Sequence, residues 1–101
     1  MRPIPVGGNN MRTIWKWPLY ETDVQELSVP ADTRFFHVEC QDRELMVWGL
    51  GDPNLGRRGR SIAIVGTGNR APTDDEARYI GTAHMPTGLV WHVFEKIEEE
   101  A

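Results

Sequence analysis

The stretch RFFHVECQDRELMVWGL, residues 34–50, decides the fold class. In its first half Phe36, Val38 and Cys40 alternate with Phe35, His37 and Glu39, the two-residue period of a strand that buries one face. Gln41, Asp42, Arg43 and Glu44 make a polar connection, after which Met46, Trp48 and Leu50 share a face. Two alternating runs joined by a short polar link predict a β-hairpin.

The same period continues on both sides. Trp15, Trp17 and Leu19 alternate with Ile14 and Lys16, and Pro18 marks that run as an edge strand open to strand addition. Gln25, Leu27 and Val29 alternate with Glu26 and Ser28 until Pro30 ends the run. Residues 51–60, with Asp52-Pro53-Asn54, Gly56 and Gly59, read as an exposed loop. Residues 61–65 form a short strand with Ile62 and Ile64 inward, stopped by Gly66 and Gly68. Residues 78–85 and 89–97 are joined by Pro86-Thr87-Gly88, another hairpin signal. Thr73, followed three residues later by Glu76, matches a capping box and allows one short helical turn. These elements predict an all-β domain of about seven strands over residues 11–97, an antiparallel meander closed into a barrel or sandwich. Residues 1–10, rich in proline, glycine and asparagine, read as a flexible leader, and residues 98–101 as a solvated acidic tail.

A chain of 101 residues is one domain's worth of protein, with little room for a multi-step active site. Lys and Arg number 11 against 15 Asp and Glu, a net charge of −4. That balance disfavours direct nucleic-acid binding, which draws on counterion release by a basic face. It points instead to proteins, small ligands, or basic surfaces that themselves bind nucleic acid. The single cysteine, Cys40, supplies neither an intramolecular disulfide nor a cysteine-cluster zinc site and fits a reducing cytosol. No apolar run approaches the roughly 18 residues of a membrane span.

Catalytic, metal and cofactor sites are not predicted. With Pro86-Thr87 as the hairpin tip, Met85 opposes Gly88 and Thr82 opposes Trp91, which offsets His84 from His92. His37 and Cys40, three residues apart, fall on opposite faces of an extended strand. Cys40 lies in the apolar phase and reads as a structural thiol. Val65-Gly66-Thr67-Gly68-Asn69 lacks the third glycine and the following helix of a phosphate loop and reads as a turn. Two binding segments stand out. Arg57, Arg58 and Arg60, spaced by glycines on a predicted mobile loop, present planar forks suited to phosphate or carboxylate. Their joint replacement by alanine is expected to leave the fold intact. Asp74, Asp75 and Glu76 form the second, acidic segment. Trp15 and Trp17 are core if they share a buried face, and interface anchors if one lies exposed.

Several motifs carry a resemblance: Thr13-Ile14-Trp15-Lys16 with Pro18-Leu19; residues 45–50 with Trp48, then Asp52-Pro53; Gly66-Thr67-Gly68; Tyr79-Ile80-Gly81-Thr82; and Val90-Trp91-His92-Val93-Phe94-Glu95. From residue 11 to about residue 96 the chain resembles an uncharacterised family of small phage and prophage proteins, a domain of unknown function. The resemblance implies a mobile genetic element and a bacterial cytoplasm; it transfers no activity and no site residue. On that class-level ground the expected function is a non-enzymatic, phage- or prophage-encoded binding protein that inhibits or modulates a host protein. The leading case is an anti-defence factor of anti-CRISPR type acting on a nucleic-acid-binding defence component. The alternatives are a sponge for a nucleotide signal, built from the arginines and the glycine turn, and a virion accessory protein. A homodimer is compatible with each.

Overall fold

The structure, a computed structural model, describes residues 11–98. The predicted leader and residues 99–101 of the predicted tail lie outside the described residues. Period-two patterning becomes seven strands: β1 (Thr13–Pro18), β2 (Val24–Pro30), β3 (Arg34–Gln41), β4 (Glu44–Gly51), β5 (Arg57–Gly66), β6 (Ala77–His84) and β7 (Val90–Lys96), with one 3₁₀ turn at Pro53–Leu55. They build two antiparallel sheets, ordered β1-β4-β3 and β2-β5-β7-β6. The meander expectation is corrected here. Among the described residues only β3–β4 and β6–β7 are hairpins; the chain changes sheet after β1, β2 and β4, and β7 inserts between β5 and β6. Among the described residues no ladder joins the two sheets, so the arrangement is sandwich-like and the barrel does not close.

One core fills the space between the sheets. Leu45 and Val47 from the first sheet and Val29, Ile62 and Val93 from the second are buried almost completely. Trp17 packs against this cluster, edge-on to Phe35 at 5.7 Å, and Trp15 is half-buried with its indole N–H donating to the Gly51 carbonyl at 3.1 Å. Both tryptophans therefore serve the fold. β1 is an edge strand, as Pro18 implied.

Turn chemistry sets the registers. Asp42 and Arg43 both have positive φ (51° and 70°), the type I′ geometry that matches strand twist, so Gln41 opposes Glu44. In the β6–β7 hairpin the Met85 amide donates to the Leu89 carbonyl, and Gly88 takes φ 92°. The loop is thus Pro86-Thr87-Gly88, one residue longer than a two-residue tip at Pro86-Thr87, and Thr82 opposes His92, not Trp91.

Two β-bulges shift the phase where sequence alternation cannot show it. In β3 the register slips between Phe35 and His37, so Phe35 turns into the core at 8% exposure while Phe36 faces solvent at 49%. The sequence alternation alone places Phe36 inward. Met46, Trp48 and Leu50 do share a face, but it is the one opposite Leu45 and Val47, and of the three only Met46 is buried. In β6 the slip falls between Tyr79 and Gly81, turning Ile80 against the core. The two bulged strands lie against each other: a Cβ on Gly81 would sit 3.1 Å from the Val38 Cβ and 3.2 Å from the Val38 amide nitrogen.

At the far end of β4, Asp52 ties the crossing between sheets. Its carboxylate accepts from the Asn54 amide at 2.8 Å and the Met11 amide at 3.2 Å, while its own amide donates to Asp32 at 2.8 Å.

The bulge in β3 is tested by a pair of substitutions read in urea. Phe35→Ala is expected to cost about 3–5 kcal/mol as a core truncation. Phe36→Ala should stay within about 0.5 kcal/mol, as an exposed change.

Candidate binding site

Residues 57–60 are strand, not the mobile loop expected from their glycines. The turn chemistry of this region is used up before them, in the 3₁₀ turn at Pro53–Leu55 and in Gly56 with φ 78°. The chain then runs extended, with Arg57 opposite Pro30, Arg58 opposite Val29 and Arg60 opposite Leu27. Alternation along β5 separates the three arginines. Arg57 goes to one face and is held by Ser28, donating from Nε to Oγ at 3.1 Å and from Nη2 to the carbonyl. Arg58 and Arg60 go to the other.

Arg60 is part of the fold. Its Nε and Nη2 both reach the Glu95 carboxylate at 2.5 Å, the two side chains are only 13% and 11% exposed, and the guanidinium lies 5.6 Å from the Phe35 ring centroid. Removing either partner would leave a nearly buried charge unanswered. The expectation that all three arginines can be replaced without structural cost therefore fails at Arg60.

Arg58, two residues nearer the end of the sheet, is exposed. It pairs with Glu98, whose carboxylate, first by hydrogen bonding and then by charge, raises the guanidinium pKa above its ordinary value. Glu98, expected to be solvated tail, thus closes onto the arginine strand. Arg58, Arg60, Arg78, Glu95, Lys96 and Glu98 line a small cleft of about 100 Å³. Arg78 and Lys96 were not singled out by sequence; the signal lies in the hairpin register, where Arg78 opposes Glu95 and Ala77 opposes Lys96.

The acidic segment forms a single turn and goes no further into helix. The Glu76 and Ala77 amides donate to the Thr73 carbonyl at 3.0 and 3.1 Å, and the Glu76 carboxylate accepts from the Thr73 amide at 3.0 Å, one half of the capping box. That backbone hydrogen bond, followed by the Thr73 hydroxyl and the charges of Arg70 and Lys96, holds the Glu76 carboxyl below its ordinary pKa. Asp74 and Asp75 are exposed. The Ile97 amide donates to the Glu76 carbonyl at 2.9 Å, which pins the acidic turn to the end of β7 beside the arginine cleft. The two segments chosen from sequence therefore meet at one end of the second sheet.

The glycine turn is elsewhere. Gly66 ends β5, the Asn69 amide donates to its carbonyl at 3.1 Å, and Gly68 at φ 93° fits the third position of a type II turn. Arg57 and Gly66 are the first and last residues of a ten-residue strand, which separates them by roughly 30 Å. A single nucleotide cannot span the arginines and the glycine turn. His37 lies outside the first sheet, 5.2 Å from Trp48, and Cys40 opposes the buried Leu45. No group of three metal-ligating side chains occurs among the described residues, and none of their helices is long and apolar enough to cross a membrane.

A family model described as a domain of unknown function, DUF7352, matches residues 11–101. The chain belongs to the DUF7352 family. No curated protein and no solved structure matches it. The arginine cleft, the acidic turn and the glycine turn all fall inside the DUF7352 match.

The division between structural and free charge in this DUF7352 domain is testable. Glu95→Gln should cost on the order of 3 kcal/mol by stranding Arg60. Glu98→Gln should leave the melting temperature unchanged, because the pair it breaks is solvated. For Glu76 the folded pKa is depressed, so its contribution is present above the unfolded carboxyl value and lost as pH falls through the folded one. Urea titrations from neutral to acidic pH should accordingly show Glu76→Gln losing stability less steeply on acidification than the unmodified chain.

Proposed function

We propose that the protein is a non-enzymatic binding protein of phage or prophage origin. In this reading it works in the bacterial cytoplasm and inhibits or modulates a host protein by occupying one of its surfaces. The leading target is a nucleic-acid-binding component of a defence system, such as a CRISPR effector. One observation carries this reading: two charged segments remote in sequence, residues 57–60 and 74–76, are brought to one end of the sheet as a bipolar surface. The cationic half already holds a carboxylate, that of Glu98, so its arginines have the geometry to receive an acidic side chain of a partner. Beside it, Asp74 and Asp75 face solvent in a chain of net charge −4, which favours encounter with a basic, nucleic-acid-binding surface. The arginines set register; the acidic excess sets attraction.

Capture from a bacterial lysate tests the reading. The unmodified chain should retain a host protein at a fixed stoichiometry, with affinity falling as salt rises. Arg58→Ala with Arg78→Ala should keep the melting temperature and weaken capture at least about fivefold, the loss expected for two exposed charge contacts. Equal capture by the double variant, or no saturable partner, contradicts the proposal.

A further inference from the structure

The outer face of the second sheet carries a groove that the proposed docking surface does not use. About 300 Å³ in volume, it is bounded by the glycine turn on one side and Tyr79 on the other, with Val65 and Phe94 beneath. The bulge in β6 and the type II turn at residues 66–69 create it: the first turns Tyr79 outward, and the second carries Thr67 beside His92. His92 is clamped between two hydroxyls. Its Nε2 is 2.8 Å from Thr67 Oγ1, its Nδ1 is 2.9 Å from Thr82 Oγ1, and Thr82 Oγ1 is 2.5 Å from the Tyr79 hydroxyl.

Proton counting along this relay has a definite outcome. A neutral imidazole has one N–H and one lone pair, and each hydroxyl has one hydrogen to give. If Nε2 carries the proton, it donates to Thr67, Thr82 donates to Nδ1, Tyr79 donates to Thr82, and the Thr67 hydrogen is left for a ligand. If Nδ1 carries it, every bond reverses and the Tyr79 hydrogen is left. In both states the groove offers one hydroxyl donor at one end and one hydroxyl acceptor at the other, and the imidazole can exchange them.

No Asp, Glu, Lys or Arg lines this groove: its side chains are Val65, Thr67, Asn69, Ala71, Tyr79, His92 and Phe94. In a chain where 26% of residues are Asp, Glu, Lys or Arg, their absence from the groove favours an uncharged ligand. Tyr79, 56% exposed and set edge-on to Phe94 at 5.5 Å, offers a ring face for stacking. A planar uncharged ring that stacks on Tyr79 and carries a donor or an acceptor on its edge for the Thr67 hydroxyl, which the tautomer of His92 sets as acceptor or donor, has these features, and nucleobases have that form. We propose that this groove binds the base of a nucleoside, through stacking on Tyr79 and an edge hydrogen bond to Thr67 at the other end of the Thr67–His92–Thr82–Tyr79 relay, with no contribution from phosphate.

Adenosine and uridine, titrated separately, are the probes, read by side-chain NMR shifts of Thr67, Tyr79 and His92 and compared with AMP and UMP. The expected result is saturable shifts at these three residues for at least one nucleoside, with Kd near or below about 1 mM and no gain from the phosphate. Thr67→Val should weaken binding about five- to tenfold, the value of one hydrogen bond, and Thr67→Ser should restore it. Arg58→Ala with Arg78→Ala should leave nucleoside binding unchanged, which separates this site from the docking surface. Absence of saturation by either nucleoside at about 10 mM, unchanged binding in Thr67→Val, or tighter binding of the nucleotides would each overturn the proposal.

Discussion

The approach of β6 to β3 at Gly81 is the contact that closes one side of the two-sheet core. No hydrogen-bonded ladder joins the two sheets among the described residues; their faces share one core, and one edge of each sheet comes to van der Waals contact with the other. A side chain at position 81 would press on the backbone of Val38, and glycine removes that obstacle. Both strands at this seam are bulged, and an extra residue in each increases the local bend that lets a flat ribbon turn its edge toward its neighbour. The bulges also decide which aromatic rings face in and which face out. Phe35 joins the core and becomes the apolar cover of Arg60, while Tyr79 is turned outward as the wall of the groove.

Where the core ends, the role of charge changes. The β5–β7 ladder stops at Ile62 and Glu95, and Arg60 lies just beyond it, still covered by Phe35 and paired with Glu95. Arg58 lies two residues further and is half exposed. Two arginines on the same face of the same strand thus do different work, because a buried guanidinium requires a fixed partner while a solvated one exchanges partners at little cost. The proposed docking surface is the solvated part of this gradient, completed by Arg78, Lys96 and the acidic turn.

Most of the fold is legible in the sequence because a strand with one buried face repeats every two residues whatever its tertiary context. Trp15, Trp17 and Leu19, the run through Val29, and Ile62 with Ile64 are read correctly on that ground. Bulges are not legible: one inserted residue reverses the phase without changing composition, and this exchanged Phe35 with Phe36. The segment from Arg57 to Arg60 misleads for another reason. Its glycines look like turn residues, but Gly56 alone takes the positive φ, and Gly59 instead makes room for Glu26 on the neighbouring strand. Of the candidate site, Arg58 and the turn ending at Glu76 were visible as local charge clusters. Arg78 and Lys96 were not, since nothing in their local sequence marks them and their place follows from pairing across the hairpin, where the one extra loop residue and the β6 bulge cancel. The His92 relay was hidden by the same one-residue shift, which moves Thr82 from Trp91 to His92.

The seam between β3 and β6 is observed most directly by nuclear Overhauser contacts in solution. The expected pattern is a strong cross-peak between the Gly81 α-protons and the Val38 methyl groups, with the Phe35 ring, and not the Phe36 ring, in contact with the side chains of Trp17 and Arg60. A spectrum with no contact between Gly81 and Val38, and with the Phe36 ring among the core methyl groups, would contradict the account of how these two sheets come together.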